Sequence, residues 1–254
     1  MDERYLHLDL SSSVILTVLI FAGALLYSSV GHGGASGYLA AMALFGLAPE
    51  VMKPTALTLN ILVTIIASIQ YYRSGCFSWP VFWPLALTSI PCAFLGGFIA
   101  LPSIYYKPLV GAVLLFAAWR FMQEAQQRKT REITPLPFPV ALFLGAGIGF
   151  LSGLTGVGGG IFLSPLLILN GWAETRLVSG VSAVFILVNS TAGLMGVLLG
   201  SPQLPEALPY WAIAAAVGGF IGAAMGSRRL SNSRIQWLLA LVLAVAGFKM
   251  ILTA

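Results

Sequence analysis

Ten apolar runs separated by short polar or glycine-rich interruptions make up most of this chain. They cover residues 13–30, 36–48, 54–72, 80–100 and 107–122, then 138–152, 160–170, 177–199, 208–226 and 235–252. A helix needs roughly 20 apolar residues to cross the hydrocarbon core of a bilayer, and most of the runs suffice. The second run of each half is shorter and directly follows a glycine cluster. That placement predicts either a broken helix or a hairpin that enters and leaves by one side. Between the two halves lies a polar stretch, 123–137, with Glu124, Arg128, Lys129, Arg131, Glu132, Pro135 and Pro137. The expected organisation is a first transmembrane repeat over 1–122, a solvated connector over 123–137 and a second transmembrane repeat over 138–254.

The halves resemble each other in detail. The first glycine cluster reads Gly31-His32-Gly33-Gly34-Ala35-Ser36-Gly37, and the second reads Gly153-Leu154-Thr155-Gly156-Val157-Gly158-Gly159-Gly160. An offset of 125 positions lays Gly31, Gly33 and Gly34 on Gly156, Gly158 and Gly159, and lays Gly75 on Gly200. Phe94-Leu95-Gly96 and Phe220-Ile221-Gly222 correspond with a small drift. An odd number of segments per half turns the second half upside down, which is the inverted-repeat plan of many secondary transporters.

Composition narrows the class. The chain is 58% hydrophobic and 8% charged over 254 residues, against about 25% charged in soluble domains. The reading is an all-α, polytopic membrane protein of two inverted repeats, with broken or re-entrant helices at the glycine motifs. The acidic start Met1-Asp2-Glu3-Arg4 argues against a cleavable signal peptide. The net charge of +5 is a topology signal rather than a nucleic-acid footprint. Placing the connector in the cytoplasm puts Arg73, Arg120, Arg128, Lys129, Arg131, Arg176, Arg228, Arg229 and Arg234 on that side. Arg4, Lys53, Lys107 and Lys249 fall on the other. This satisfies the positive-inside rule and sets a periplasmic N-terminus in an inner membrane. Trp79, Trp83, Tyr105, Tyr106, Trp172, Tyr210 and Trp211 cluster at segment ends and read as an interfacial belt, with Tyr71 and Tyr72 beside them.

Candidate chemistry concentrates at the breaks. No acid lies in the middle of an apolar run, which disfavours a cationic substrate. A helix that begins inside a membrane leaves its first N–H groups unpaired and carries partial positive charge there. Two such starts, facing each other, suit a small anion. The amides of Gly33, Gly34, Gly158, Gly159 and Gly160 are the expected donors, although crowded glycines also serve helix packing. His32 is either a ligand donor or proton carrier, or a neutral ring bonded to a carbonyl. Asn60 and Asn189 either orient the ligand or bond between helices. By contrast, Gly145, Gly149, Gly153 and Gly218, Gly222, Gly226 have helical spacing and read as packing ridges. Cys76 and Cys92 have no metal spacing. No nucleotide loop, metal set or nucleophile–base pair is present, so no enzyme activity and no cofactor are expected.

These motifs resemble the TauE/SafE family of membrane transporters, the sulfite exporter family. The matching pieces are the two glycine clusters, Pro165, Gly180-Val181-Ser182-Ala183-Val184-Phe185, Asn189-Ser190-Thr191-Ala192-Gly193, and Gln70-Tyr71-Tyr72-Arg73-Ser74-Gly75. The resemblance implies export of sulfite, sulfonates such as sulfoacetate, or related anions across the cytoplasmic membrane. The partners expected are a small anionic substrate and the lipid bilayer, with no nucleic acid; a homo-oligomer is compatible with the sequence. Two rival readings remain open from the residues: an anion channel and a non-transporting accessory subunit.

Overall fold

The computed structural model describes residues 10–126, 133–200, 202–227 and 233–253. Every regular element among them is a helix. The first half contains α1 (Leu10–Ser28), α2 (Ala35–Leu44), α3 (Pro49–Arg73), α4 (Trp79–Phe98) and α5 (Ser103–Gln126). The second contains α6 (Phe138–Thr155), α7 (Gly160–Leu169), α8 (Thr175–Leu198), α9 (Leu208–Gly226) and α10 (Ser233–Leu252). Six of these helices are long and apolar enough to cross a membrane, and the chain is a polytopic all-α membrane protein. Proline marks several starts, at Pro49, Pro80, Pro139 and Pro209, where its missing N–H costs no hydrogen bond. α3 begins five residues before the apolar run does, because Pro49 starts the helix although Glu50 and Lys53 interrupt the hydrophobic pattern.

The two glycine clusters are turns between a long helix and a ten-residue helix. At a rise of about 1.5 Å per residue, α2 and α7 are roughly 15 Å long, half a bilayer. α7 runs back along α8: Gly160 lies against Ile186, and the Ser164 and Ser182 hydroxyls meet at 2.7 Å. The Thr134 N–H donates to the Gly171 carbonyl at 2.8 Å, which pins the chain before α6 to the chain after α7. α6 and α7 therefore form a hairpin that returns to the side it left. In the first half, Gly33 lies against Asn60 and Thr64 in the middle of α3. α2 descends from there to Leu44, a short turn before α3 starts. The hairpin is thus the arrangement observed for both halves.

Packing partners are exchanged between the halves. α4 packs on α6 as α1 packs on α9, and α4 packs on α8 as α3 does on α9. α5 with α10 and α3 with α8 form the remaining extensive pairs. α3 and α8 run antiparallel, since Asn60 meets Ser190 while Cys76 lies against Gly180.

Both predicted glycine ridges are close helix contacts. Gly145, Gly149 and Gly153 of α6 lie on the carbonyls of Leu85, Ser89 and Ala93 of α4. Gly218, Gly222 and Gly226 of α9 lie on those of Phe21 and Leu25 of α1 and of Ser29 just after it. A Cβ at any of them would strike backbone, so the helix axes would have to separate.

Trp79, Trp83, Tyr105 and Tyr210 are exposed, as an interfacial belt requires. Trp211, Tyr71 and Tyr106 are not part of it: all three are buried. Tyr71 and Tyr106 hydroxyls find carbonyl partners inside the protein, and that removes the cost of burying them. Arg73, Arg120 and Arg176 lie at the end of the molecule where α6 begins. Lys53, Lys107 and Lys249 lie at the opposite end. Cys76 and Cys92 are free thiols. Arg4, His7, Arg128, Lys129, Arg131, Glu132, Arg228 and Arg229 lie outside the described residues, as does the Arg234 side chain.

Candidate functional site

The first break follows the last turn of α1. The His32 N–H donates to the Tyr27 carbonyl at 2.9 Å, and Gly31, Gly33 and Gly34 have φ of 78°, 73° and 145°. The second break follows α6, where Gly156 takes φ 83° and its N–H bonds to the Ser152 carbonyl at 2.8 Å. Gly158 and Gly159 both take φ 85°. Side chains rarely adopt this left-handed region, where the Cβ crowds the following carbonyl. Glycine is required at Gly158 for a second reason: a Cβ would meet the Asn60 carboxamide and Ile186.

The breaks come together around Asn60. Its carboxamide oxygen faces Gly33 and its nitrogen faces Gly158. The same nitrogen donates to Ser190 Oγ at 2.9 Å, which joins α3 to α8. His32 completes the contact: its Cδ2 lies 3.6 Å from where a Cβ on Gly160 would stand. His32 Nδ1 sits 2.9 Å from the Val30 carbonyl, which only accepts, so the proton of that bond is on Nδ1. The break residues 30–36 and 152–160 are buried.

The backbone donors divide unevenly. The Gly34 N–H is engaged with the His32 carbonyl at 2.9 Å, so it is not one of the open amides. The N–H groups of Gly33, Ala35, Ser36 and Gly37 have no acceptor among the described residues. Neither do those of Val157, Gly158, Gly159, Gly160 and Ile161. Each break therefore presents a row of unpaired N–H groups at a buried helix start, where partial positive charge gathers. No Asp or Glu lies within either break, so no carboxylate there opposes an anion.

Asn189 behaves differently from Asn60. Its Nδ2 donates back to the Phe185 carbonyl at 2.7 Å, inside its own helix. Its neighbour Ser190, about 100° further round α8, faces Asn60 and Gly158 instead. Asn60 Oδ1, Asn189 Oδ1 and the hydroxyls of Ser152 and Ser36 are buried without a partner. Among the described residues no three His, Cys, Asp or Glu side chains converge on a metal position.

Three supporting side chains lie outside the candidate site residues read from the sequence. The Tyr71 hydroxyl lies 3.1 and 3.0 Å from the Ser28 and Ser29 carbonyls, at the end of α1. The Tyr106 hydroxyl donates to the Thr155 carbonyl at 2.8 Å, at the end of α6. Each tyrosine thus satisfies carbonyls that the breaks leave without helical partners. Lys53 is buried beside Gly156, and its ammonium donates to the carbonyls of Gly96, Gly97 and Ile99 at 3.0–3.2 Å. It caps the C-terminal end of α4, where a cation is favoured.

The profile of the sulfite exporter TauE/SafE family matches residues 15–250. A probable membrane transporter protein of Sinorhizobium fredii is 41% identical, over 95% of this chain and 99% of its own. A probable membrane transporter protein of Bacillus subtilis is 28% identical over 95% of this chain and 100% of its own. One of Methanocaldococcus jannaschii is 26% identical over 96% and 98%. No solved structure matches the chain. Ten helices among the described residues, two buried glycine breaks and full-length similarity to transporters lead to one conclusion: this chain is a membrane transporter, not an enzyme, and it belongs to the sulfite exporter TauE/SafE family.

Proposed function

We propose that the chain is a secondary carrier that exports a small organic or sulfur-containing anion of the sulfite, sulfonate or sulfoacetate class. The anion sits between the two breaks, held by the open amides around Gly33 and Gly158–Gly160, with Asn60 and Ser190 beside it. One observation carries this reading: a single carboxamide, Asn60, touches both glycine breaks, although 98 residues separate Asn60 from Gly158. Unpaired N–H groups from two helix starts then converge on one buried place. Backbone donors stabilise an anion without the tight grip of a fixed Lys or Arg, which favours release.

The exchange of packing partners and the antiparallel α3–α8 pair support two halves related by an inverted duplication. Alternating access is the rocking of one half against the other around the fixed site. Because both breaks are buried, the arrangement corresponds to a closed step of that cycle. With the 123–137 connector in the cytoplasm of an inner membrane, the N-terminus is periplasmic.

Counterflow in proteoliposomes tests the proposal. Vesicles preloaded with unlabelled sulfoacetate or sulfite should accumulate the labelled anion transiently and saturably, with no accumulation of a labelled organic cation. A non-saturating, electrically conductive anion flux would identify a channel instead. Counterflow of cations alone would reject the anion site.

A further inference from the structure

We propose that a lateral pocket at the junction of α3, α4 and α8 binds an anionic phospholipid, with the phosphate on Arg73. The pocket has a volume of about 300 Å³ and is open to the outside. Its floor is apolar, from Ile69, Phe77 and Val184. Its rim holds Tyr72 and Trp79, each 59% exposed. Arg73 supplies the cation. Ile65, Ile69 and Tyr72, spaced along one side of α3, are all exposed apolar residues. A membrane-spanning helix shows such a face to lipid, so the pocket opens sideways into the bilayer rather than into a water-filled passage.

The chemistry changes along the pocket as it does along a lipid. Arg73 is the last residue of α3, and its guanidinium forms no hydrogen bond or ion pair among the described residues. A guanidinium at the interface pairs with a phosphodiester through two parallel N–H bonds. Ser68 lines the pocket deeper down, and its hydroxyl is buried without a partner. Five residues along a helix place it roughly 7.5 Å below Arg73, where the ester oxygens of a lipid follow its phosphate. Ile69, Phe77 and Val184 form the apolar wall between the two, on which the glycerol backbone and the first methylenes of an acyl chain would lie. The aromatic wall is braced: Phe77 packs edge-on to Trp79 at 5.1 Å and against Tyr72 at 5.7 Å. Neighbouring Arg176 is engaged elsewhere, on Cys76 Sγ and the Ser74 carbonyl, which leaves Arg73 as the headgroup ligand.

Native mass spectrometry of the purified full-length chain, titrated with phosphatidylglycerol or phosphatidylcholine, tests this directly. The expected result is a preference for phosphatidylglycerol of roughly fivefold, the worth of one basic residue at an anionic surface. Arg73→Gln should abolish that preference while leaving the weaker phosphatidylcholine binding in place. Val184→Trp, which fills the floor without changing charge, should weaken binding of both lipids. A preference that survives Arg73→Gln overturns the proposal. So does displacement of the lipid by glycerol phosphate at equal concentration, which would make the ligand a soluble anion. If Val184→Trp does not fold, the exposed Arg73→Gln variant still decides the question.

Discussion

Glycine does two opposite jobs in this molecule, and the contrast lies between the breaks and the ridges. In the ridges, Gly145, Gly149, Gly153 and Gly218, Gly222, Gly226 sit four residues apart within continuous helices, and each faces a carbonyl of the neighbouring helix. Their missing Cβ lets two backbones touch. In the breaks, Gly33, Gly34, Gly158 and Gly159 sit next to one another with positive φ, and they end one helix and start another. Their missing Cβ lets both breaks close on the Asn60 carboxamide and leaves N–H groups without helical partners. Spacing separates the roles: four apart keeps a helix and builds an interface, whereas adjacency ends one helix and starts another with backbone donors open.

The largest effect should follow from a charge placed between the breaks. Asn60→Asp and Asn60→Ala both remove the donor to Ser190, and only Asp adds a negative charge. Two unit charges about 4 Å apart at an effective dielectric constant of about 20 repel by about 4 kcal/mol. Anion flux in proteoliposomes should therefore be at least about 100-fold lower for Asp than for Ala. Protonation neutralises the carboxylate, so the Asp variant should recover flux as pH falls. Equal flux for the two variants would separate Asn60 from the anion.

A ridge substitution should instead act on folding. Gly222→Val drives a branched side chain into the Leu25 carbonyl of α1. Overpacking of this kind costs about 1–3 kcal/mol. The folded yield on gel filtration and the Tm should drop, while flux per folded molecule stays within about threefold. A well-folded Gly222→Val protein that has lost transport would erase the distinction between ridge and break.

The smallest effect should come from the tyrosines that steady the breaks. Tyr106→Phe removes the hydroxyl bonded to the Thr155 carbonyl and should cost about 1 kcal/mol of stability, as one hydrogen bond does. Tyr71→Phe should cost about the same at the end of α1. Thermal unfolding of the two variants compares the breaks directly, and a large difference would show that one break depends on its tyrosine and the other does not.

Much of the fold was legible because lipid makes long apolar runs unmistakable and two glycine clusters mark where the helices break. The start of α3 was hidden, since Glu50 and Lys53 look like a polar boundary until Lys53 is seen capping α4 from inside. Tyr71 and Tyr106 read as interfacial aromatics because an amphipathic ring at a segment end serves an interface or a buried carbonyl equally well. Asn60 and the break glycines could be named in advance as a set. Whether Asn189 or Ser190 faces Asn60 depends on the rotation of α8, and adjacent polar residues Asn189, Ser190 and Thr191 leave that rotation open in the sequence. The Gly34 amide was out of reach for a similar reason: the bond to the His32 carbonyl is a property of the folded turn.

The central claim, that backbone amides of both breaks hold the anion together, is tested most directly by hydrogen–deuterium exchange with and without saturating sulfoacetate or sulfite. The account predicts that peptides covering 33–37 and 157–161 slow together on adding the anion, while the 218–226 ridge is unchanged. An anion that is transported yet slows neither break, or slows only one, would contradict it.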